Sequence, residues 1–271
     1  MLILKRSLQV VAALIFFSVA MTANAVPVAV FDDPAFVDTG GTSLDESDTI
    51  QASLVSLGHT ANTFTGISAA AFTAGLAGNN VLLTPEIEVS LLGSALSAAA
   101  INTITSFVSS GGGLIVAGAS NFVAHASDDF LNSVFGFGVL NSEFGAGGTS
   151  AINAGNAAGT AFAGGPALVS NFNATHPILA GLPGGALSIY DASGGGSSVF
   201  LMQFGLGQIV YLGWDWFNAA PIGSNDGGWL AILDSAVTQV STPVSVPEPG
   251  TLALLGLGLV AMGFARRKRA V

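Results

Sequence analysis

The sequence predicts an α/β fold, a parallel sheet flanked by helices. Three observations carry this expectation. Short apolar runs of strand character alternate with helix-like segments through the first half of the chain. Gly, Pro and acidic residues punctuate the joins between them. The stretch 26–246 is about 220 residues long, enough for one sizeable core, and the chain has no cysteine, so that core must hold without disulfides.

The elements follow in order. Val28-Ala29-Val30-Phe31 is a buried-strand run that ends at Asp32-Asp33-Pro34. Asp45-Glu46-Ser47-Asp48 leads into an apolar-periodic segment that closes at Gly58, and acidic residues suit a helix N-terminus because they face its positive dipole end. Residues 59–64 alternate weakly as a second strand, 68–76 form a short helix, and Asn80-Val81-Leu82-Leu83-Thr84 is a third strand before Pro85 and Glu86. The helix 97–110 is the clearest, since Ile101, Ile104, Phe107 and Val108 share one face and Gly111-Gly112-Gly113 ends it. Leu114-Ile115-Val116-Ala117-Gly118 is a fourth strand, followed by a tight turn through Ser120. The region 136–165 is rich in Gly, Ala and Asn and reads as a long insertion of short strands or loops. Residues 184–204 give a strand pair around Gly194-Gly195-Gly196, 205–214 a late strand, and 227–240 a closing helix with Trp229, Leu230, Ile232, Leu233 and Val237 on its buried face.

Charge is distributed unevenly. All six Lys and Arg lie at the ends, as Lys5, Arg6, Arg266, Arg267, Lys268 and Arg269, while 26–246 carries fifteen of the sixteen acidic residues. A body without Lys or Arg cannot neutralise phosphates by releasing counterions, which excludes nucleic acid as a partner. Its carboxylates remain available to divalent cations, and cation-bridged polysaccharide is a compatible partner. Lys5 and Arg6, the apolar 8–19 and the small-x-small Ala23-Asn24-Ala25 have the layout of a cleavable signal peptide over 1–25. At the other end, Val246-Pro247-Glu248-Pro249-Gly250 precedes an apolar run over 251–265 and the basic stop Arg266-Arg267-Lys268-Arg269. The apolar run partitions into a bilayer and the basic cluster stays on its cytoplasmic side.

That tail resembles the PEP-CTERM sorting signal of Gram-negative bacteria. The resemblance implies recognition of Pro247, Glu248 and Pro249 by an exosortase, a membrane transpeptidase-like protease. The protein is then exported, anchored in the inner membrane before processing by a C-terminal transmembrane helix, and afterwards placed in the outer envelope or outside the cell. The expected organisation is a signal peptide over 1–25, an α/β domain over 26–240, a linker over 241–246 and the sorting signal with its membrane segment over 247–271. The body resembles the class I glutamine-amidotransferase-like fold and its ThuA-like relatives. The resemblance lies in the helix, Gly-Gly-Gly break, strand and turn of 101–121, in His176-Pro177-Ile178-Leu179-Ala180-Gly181-Leu182, and in Gly205-x-Gly207-Gln208-Ile209-Val210-Tyr211-Leu212-Gly213-Trp214. It implies a flavodoxin-like parallel sheet with the Gly-rich insertion added. The catalytic Cys-His-Glu set of those amidotransferases does not carry over, because the turn 118–121 holds Ser120 and the chain has no Cys.

Candidate site residues each admit a plain and a functional reading. Ser120 could act as a nucleophile with His125 or His176 as base and Asp215 as orienter, but Gly118-Ala119-Ser120-Asn121-Phe122 is not Gly-x-Ser-x-Gly, and turn chemistry is the commoner use. His176 is a metal ligand or base, or a loop-fixing residue in a Thr-His-Pro-Ile turn. His59 is structural, and Asp128-Asp129 beside His125 forms a helix cap or a metal site. Asp32, Asp33 and Asp38 follow the first strand, Glu86 and Glu88 the third and Asp215 the late one, all on the carboxyl edge where α/β sheets bind ligands. They read as a solvated acidic edge, or as a calcium cluster in which Asp32, Asp33 and Glu86 are the leading ligands. Trp214, Trp216, Phe217 and Trp229 are core residues or a sugar-stacking surface. The resulting expectation is an exported, non-catalytic envelope or matrix protein with exopolysaccharide as a possible partner. A hydrolase of carbohydrate or ester substrates and a calcium-stabilised structural module are the alternatives.

Overall fold

The computed structural model describes residues 25–118, 123, 125–139 and 141–242, with the backbone alone for 141–145. Residues 1–24 of the expected signal peptide, Ser120, and the tail from 243 onward, with Pro247, Glu248, Pro249 and the basic stop, lie outside the described residues. The first half is built from β1 (Pro27–Phe31), α1 (Glu46–Ser56), β2 (Thr60–Phe64), α2 (Ala69–Leu76), β3 (Val81–Thr84), α3 (Leu92–Ala95), α4 (Ala98–Ser109) and β4 (Gly113–Ala117). The second half adds α5 (Ala126–Phe135), β5 (Asn141–Ala146), β6 (Thr149–Ile152), α6 (Ala154–Ala157), β7 (Leu168–Ser170), β8 (Ala174–Pro177), β9 (Leu187–Ala192), β10 (Ser197–Phe204), β11 (Gly207–Leu212) and α7 (Trp229–Ser241).

Local chemistry explains the helix starts. The hydroxyls of Ser68 and Ser97 accept the backbone N–H groups of Ala71 and Ala100, which satisfies a donor that the first turn of α2 and of α4 would otherwise leave orphaned. At the far end of α4, Gly111 takes φ +111°, a conformation that lets the chain reverse into β4.

The main sheet has the order β2-β1-β3-β4-β11-β10-β9-β6-β7. Its first five strands are parallel, in the 2-1-3-4-5 pattern of doubly wound sheets. The remaining four run antiparallel, through β11–β10, β10–β9, β9–β6 and β6–β7. The expectation of a purely parallel sheet is therefore corrected to a mixed one. The Gly-rich region holds short strands, as its sequence suggested, though their positions were not legible. It supplies β6 to the main sheet and β5 to a separate two-stranded ribbon with β8. Small residues hid these strands: Thr149-Ser150-Ala151-Ile152 has no apolar alternation, yet Ser150 is buried and its hydroxyl donates to Asn171 Oδ1 at 3.1 Å.

Alternate strand residues feed two cores, as the two-residue side-chain period requires. Val28, Val30, Val81, Leu83, Ile115, Val210 and Leu212 pack with Ile50 and Leu54 of α1 and with Ile232, Leu233 and Val237 of α7. Ala29, Phe31, Leu82, Leu114, Val116 and Tyr211 pack with Phe72 of α2, Ile104 and Val108 of α4, and Phe130 and Leu131 of α5. The three tryptophans are buried in the first core: Trp214 stacks on Trp229 at 5.8 Å and meets Trp216 edge-on at 5.0 Å. This overturns their reading as a sugar-stacking surface. Among the described residues, no helix is long and apolar enough to cross a membrane.

The packing of α4 makes a direct prediction. Ile104 is fully buried in the second core, whereas Asn102 on the same helix is exposed. Ile104→Ala should destabilise the domain by about 2–5 kcal/mol in a denaturant melt, while Asn102→Ala should stay within about 0.5 kcal/mol of wild type.

Candidate functional site

The carboxyl ends of the parallel strands share one edge. The crossovers from β1 and β3 leave in opposite directions there, and doubly wound sheets bind ligands at such a switch point. The segment after β1 and the segment after β3 are tied together across it. Val37 and Ile87 form an antiparallel bridge, and the N–H groups of Glu88 and Val89 both donate to Phe36 O, at 2.9 and 3.0 Å. This tie brings Asp38 beside Glu88, and Glu46 opens α1 next to both. One carboxylate oxygen from each of Asp38, Glu46 and Glu88 lies within 4.8 Å of the others.

Two further acids stand behind this trio. Glu86 leaves the end of β3, and its Oε1 accepts Trp216 N–H at 2.6 Å. Asp215 leaves the end of β11, and its Oδ1 accepts Phe217 N–H at 2.7 Å. Trp216 is itself tied to α1, because its carbonyl oxygen accepts the Thr49 hydroxyl at 2.6 Å. Glu86 is 0% exposed, Asp215 2%, Glu46 4% and Glu88 9%, and only Asp38 of the five faces solvent. Burial of Glu86, Glu88 and Asp215 corrects the reading of these three as a solvated edge, while Asp38 is exposed and Asp32 and Asp33 are half-buried.

Burial shapes their protonation. A charged carboxylate loses hydration when buried, so its proton is held more tightly. Burial first, then the charge of Glu88, raises the Glu46 carboxyl to about 9. Burial and then Asp215, Glu88 and Glu46 push Glu86 well above the usual carboxylate range. Burial raises Asp215 to about 6, against hydrogen bonds from the Phe217 backbone and the Asn173 side chain. Desolvation and the neighbouring Asp45 raise Asp38. Asp45 shifts the other way, because Thr42 donates to it from both side chain and backbone.

The remaining candidates have other partners. Asp32 Oδ1 accepts Ser47 Oγ–H at 2.7 Å and Gln51 Nε2–H at 3.2 Å. Asp33 accepts the N–H groups of Ala35 and Gly66, at 3.0 and 2.8 Å. These two acids staple the loops around β1 and α1, so of the three leading metal candidates Glu86 alone stands in the buried cluster. His176 lies inside β8 and is 1% exposed, in a strand and not a turn. His59 is buried and faces Asp234 at 3.1 Å, a structural role in keeping with its place at a helix-to-strand junction. Asp128 and Asp129 sit in the first turn of α5 and do not cap it. Asp128 faces His125 Nδ1 at 3.0 Å, and Asp129 accepts the Ser94 N–H at 2.9 Å as well as its hydroxyl. Sequence reasoning placed Glu46 in a helix start and missed it as a cluster member. The one available signal was its position opposite Glu86 and Glu88 on the same sheet edge.

The raised carboxyls set the direction of a pH effect. Below the ordinary carboxylate range both folded and unfolded chains hold these protons. Above it, the unfolded chain releases them while the folded chain keeps them, so stability falls as pH rises. In chelator-treated protein, melting temperature should decline from about pH 4.5, through the Asp215 range near 6, toward the Glu46 range near 9. Glu46→Gln should flatten the upper part of that decline, and a profile that rises over this window would contradict the assignment.

Comparison with known proteins bears on the two parts of the chain separately. The PEP-CTERM protein-sorting motif matches residues 245–269. No curated protein sequence matches the chain. Among solved structures, the fold is similar to a ThuA-like protein from Bacteroides uniformis, at TM-score 0.53 and 11% identity over 79% of this chain and 93% of that one. A ThuA-like protein from Parabacteroides merdae gives TM-score 0.51 and 11% identity, over 83% of this chain and 93% of that one. A cytoplasmic protein from Salmonella typhimurium LT2 gives TM-score 0.54 and 12% identity, over 80% and 99%. The chain therefore joins a body with the fold of ThuA-like proteins to a PEP-CTERM sorting motif, which implies export and processing by an exosortase.

Proposed function

We propose that the protein is a non-catalytic module of the outer envelope or extracellular matrix. Its C-terminal segment anchors it in the inner membrane until an exosortase acts at Pro247-Glu248-Pro249, with Arg266, Arg267, Lys268 and Arg269 holding the tail end on the cytoplasmic side. The observation that carries this reading is the sorting motif at 245–269, attached to a body that has no Lys or Arg. An acidic body repels itself and stays soluble after release. It also suits a matrix in which exopolysaccharide is bridged by cations.

A hydrolase would need a nucleophile or an edge carboxylate to share an accessible pocket with His176. That ring is buried in β8 and Asp215 is engaged by the Phe217 N–H, which favours the non-catalytic reading. The test is the intact mass of the protein from envelope and medium fractions, in wild type and in an exosortase-deletion strain. Wild type should have lost both terminal segments, and the deletion strain should retain the C-terminal one. An unchanged C-terminus in both strains would reject processing and leave a plain membrane anchor.

A further inference from the structure

We propose that the switch point between β1 and β3 is a binding site for one hard divalent cation of the calcium class, with Asp38, Glu46 and Glu88 as its ligands. The argument begins with what the body lacks. Buried carboxylates ordinarily face Lys, Arg or protonated His, and 26–246 contains no Lys or Arg. Of the histidines, His59 and His125 face Asp234 and Asp128. Bringing Glu46, Glu86 and Asp215 together under cover is costly unless something positive joins them.

A second observation is separate from the trio's spacing. Glu86 is fully buried, and its Oε1 is taken by the Trp216 N–H, yet its Oε2 has no hydrogen-bond partner among the described residues. The charges that act on it are those of Asp215, Glu88 and Glu46, so this unpaired oxygen belongs to the same electrostatic centre. Glu46 Oε2 is likewise buried without a hydrogen-bond partner among the described residues. A buried acceptor left unmade costs on the order of 1–3 kcal/mol, more when it is charged, so two such carboxyl oxygens call for an explanation. A cation among Asp38, Glu46 and Glu88 would satisfy Glu46 directly and would offset the charge of Glu86 and Asp215 behind it.

The donor chemistry selects the ion. Every candidate ligand is a carboxylate oxygen, with no thiolate and no imidazole in the trio, which suits hard ions and disfavours zinc and copper. Ca²⁺ takes six to eight oxygens in flexible geometry, whereas Mg²⁺ keeps most of its water and uses one or two carboxylates. Three converging carboxylates, one of them solvent-facing and able to admit water ligands, fit the calcium pattern. The ligands come from the segment after β1, the start of α1 and the segment after β3. One ion would therefore lock the Val37–Ile87 tie to the helix.

This inference does not rest on the sorting reading, and its test is independent of exosortase. The exported chain, purified in mild detergent and stripped with chelator, is titrated with CaCl₂ while melting temperature and binding heat are recorded. The expected result is a saturable rise in melting temperature, one Ca²⁺ per chain, and reversal by chelator. Glu88→Gln and Asp38→Asn should each weaken binding by roughly tenfold or more through loss of a charged ligand. Asp234→Asn, away from the site, should leave binding unchanged. Asp38 is exposed, so its variant keeps the test valid if the Glu88 variant fails to fold. No saturable heat with Ca²⁺, or full binding retained in Asp38→Asn and Glu88→Gln, would overturn the site. An equal response to MgCl₂ would overturn the choice of ion class.

Discussion

The constraint on which the rest of the structure depends is that an acidic body must fold without a single Lys or Arg. Each carboxylate has to find an N–H, a hydroxyl or another carboxylate. Much of the loop structure follows from this. Asp33 holds the backbone of Ala35 and Gly66, Asp45 that of Thr42, Asp48 that of Gly41, Asp129 that of Ser94 and Asp226 that of Leu230. Hydrogen bonds to an ionised acceptor are stronger than neutral ones, so these acids serve as loop staples where other proteins use ion pairs. At the β1/β3 switch, Asp38, Glu46 and Glu88 instead bring carboxylate oxygens within 4.8 Å of one another.

The scaffold around that cluster is rigid for ordinary reasons. Strand residues alternate into two cores, and the Trp214–Trp216–Trp229 group packs the segment after β11 against α7. A Cβ on Gly213 would overlap the Thr175 carbonyl oxygen, so only glycine lets β11 pass this close to β8. The position of Asp215 and of the Trp216 N–H that binds Glu86 is set by this packing. The acidic site is thus held by the apolar core and not by the loops alone.

Most of the parallel half of the fold was legible from sequence because β1, β3 and β4 are continuous apolar runs, α2 and α4 carry serine caps, and Gly58 and Gly111 follow α1 and α4. Val81-Leu82-Leu83-Thr84 and the 97–110 helix came within one residue of their observed bounds at each end. In the antiparallel half the β9–β10 pair around Gly194-Gly195-Gly196 was legible, whereas β6 and β7 were not, since they are built from Thr, Ser, Ala and a few isolated apolar residues. The site was half legible. Placing Asp38, Glu86, Glu88 and Asp215 on one sheet edge follows from strand order, but the burial of Glu86, Glu88 and Asp215 does not, because it arises from the Val37–Ile87 tie and from the Trp216 turn beside Glu86. Glu46 was hidden by an equally good local explanation, the preference of acidic residues for helix starts. The tryptophans misled for a related reason: composition cannot tell an indole in the core from one on a sugar-binding surface.

An exported protein without disulfides, whose body has no Lys or Arg, has few ways to reinforce its folded state, and a cation recruited outside the cytoplasm would be one of them. Anomalous diffraction from crystals of the exported protein grown with Ca²⁺ tests this most directly. The account predicts a single calcium peak bounded by carboxylate oxygens of Asp38, Glu46 and Glu88, at distances of about 2.3–2.6 Å. An ordered cluster with no peak, its acids bonded to one another through retained protons, would contradict it.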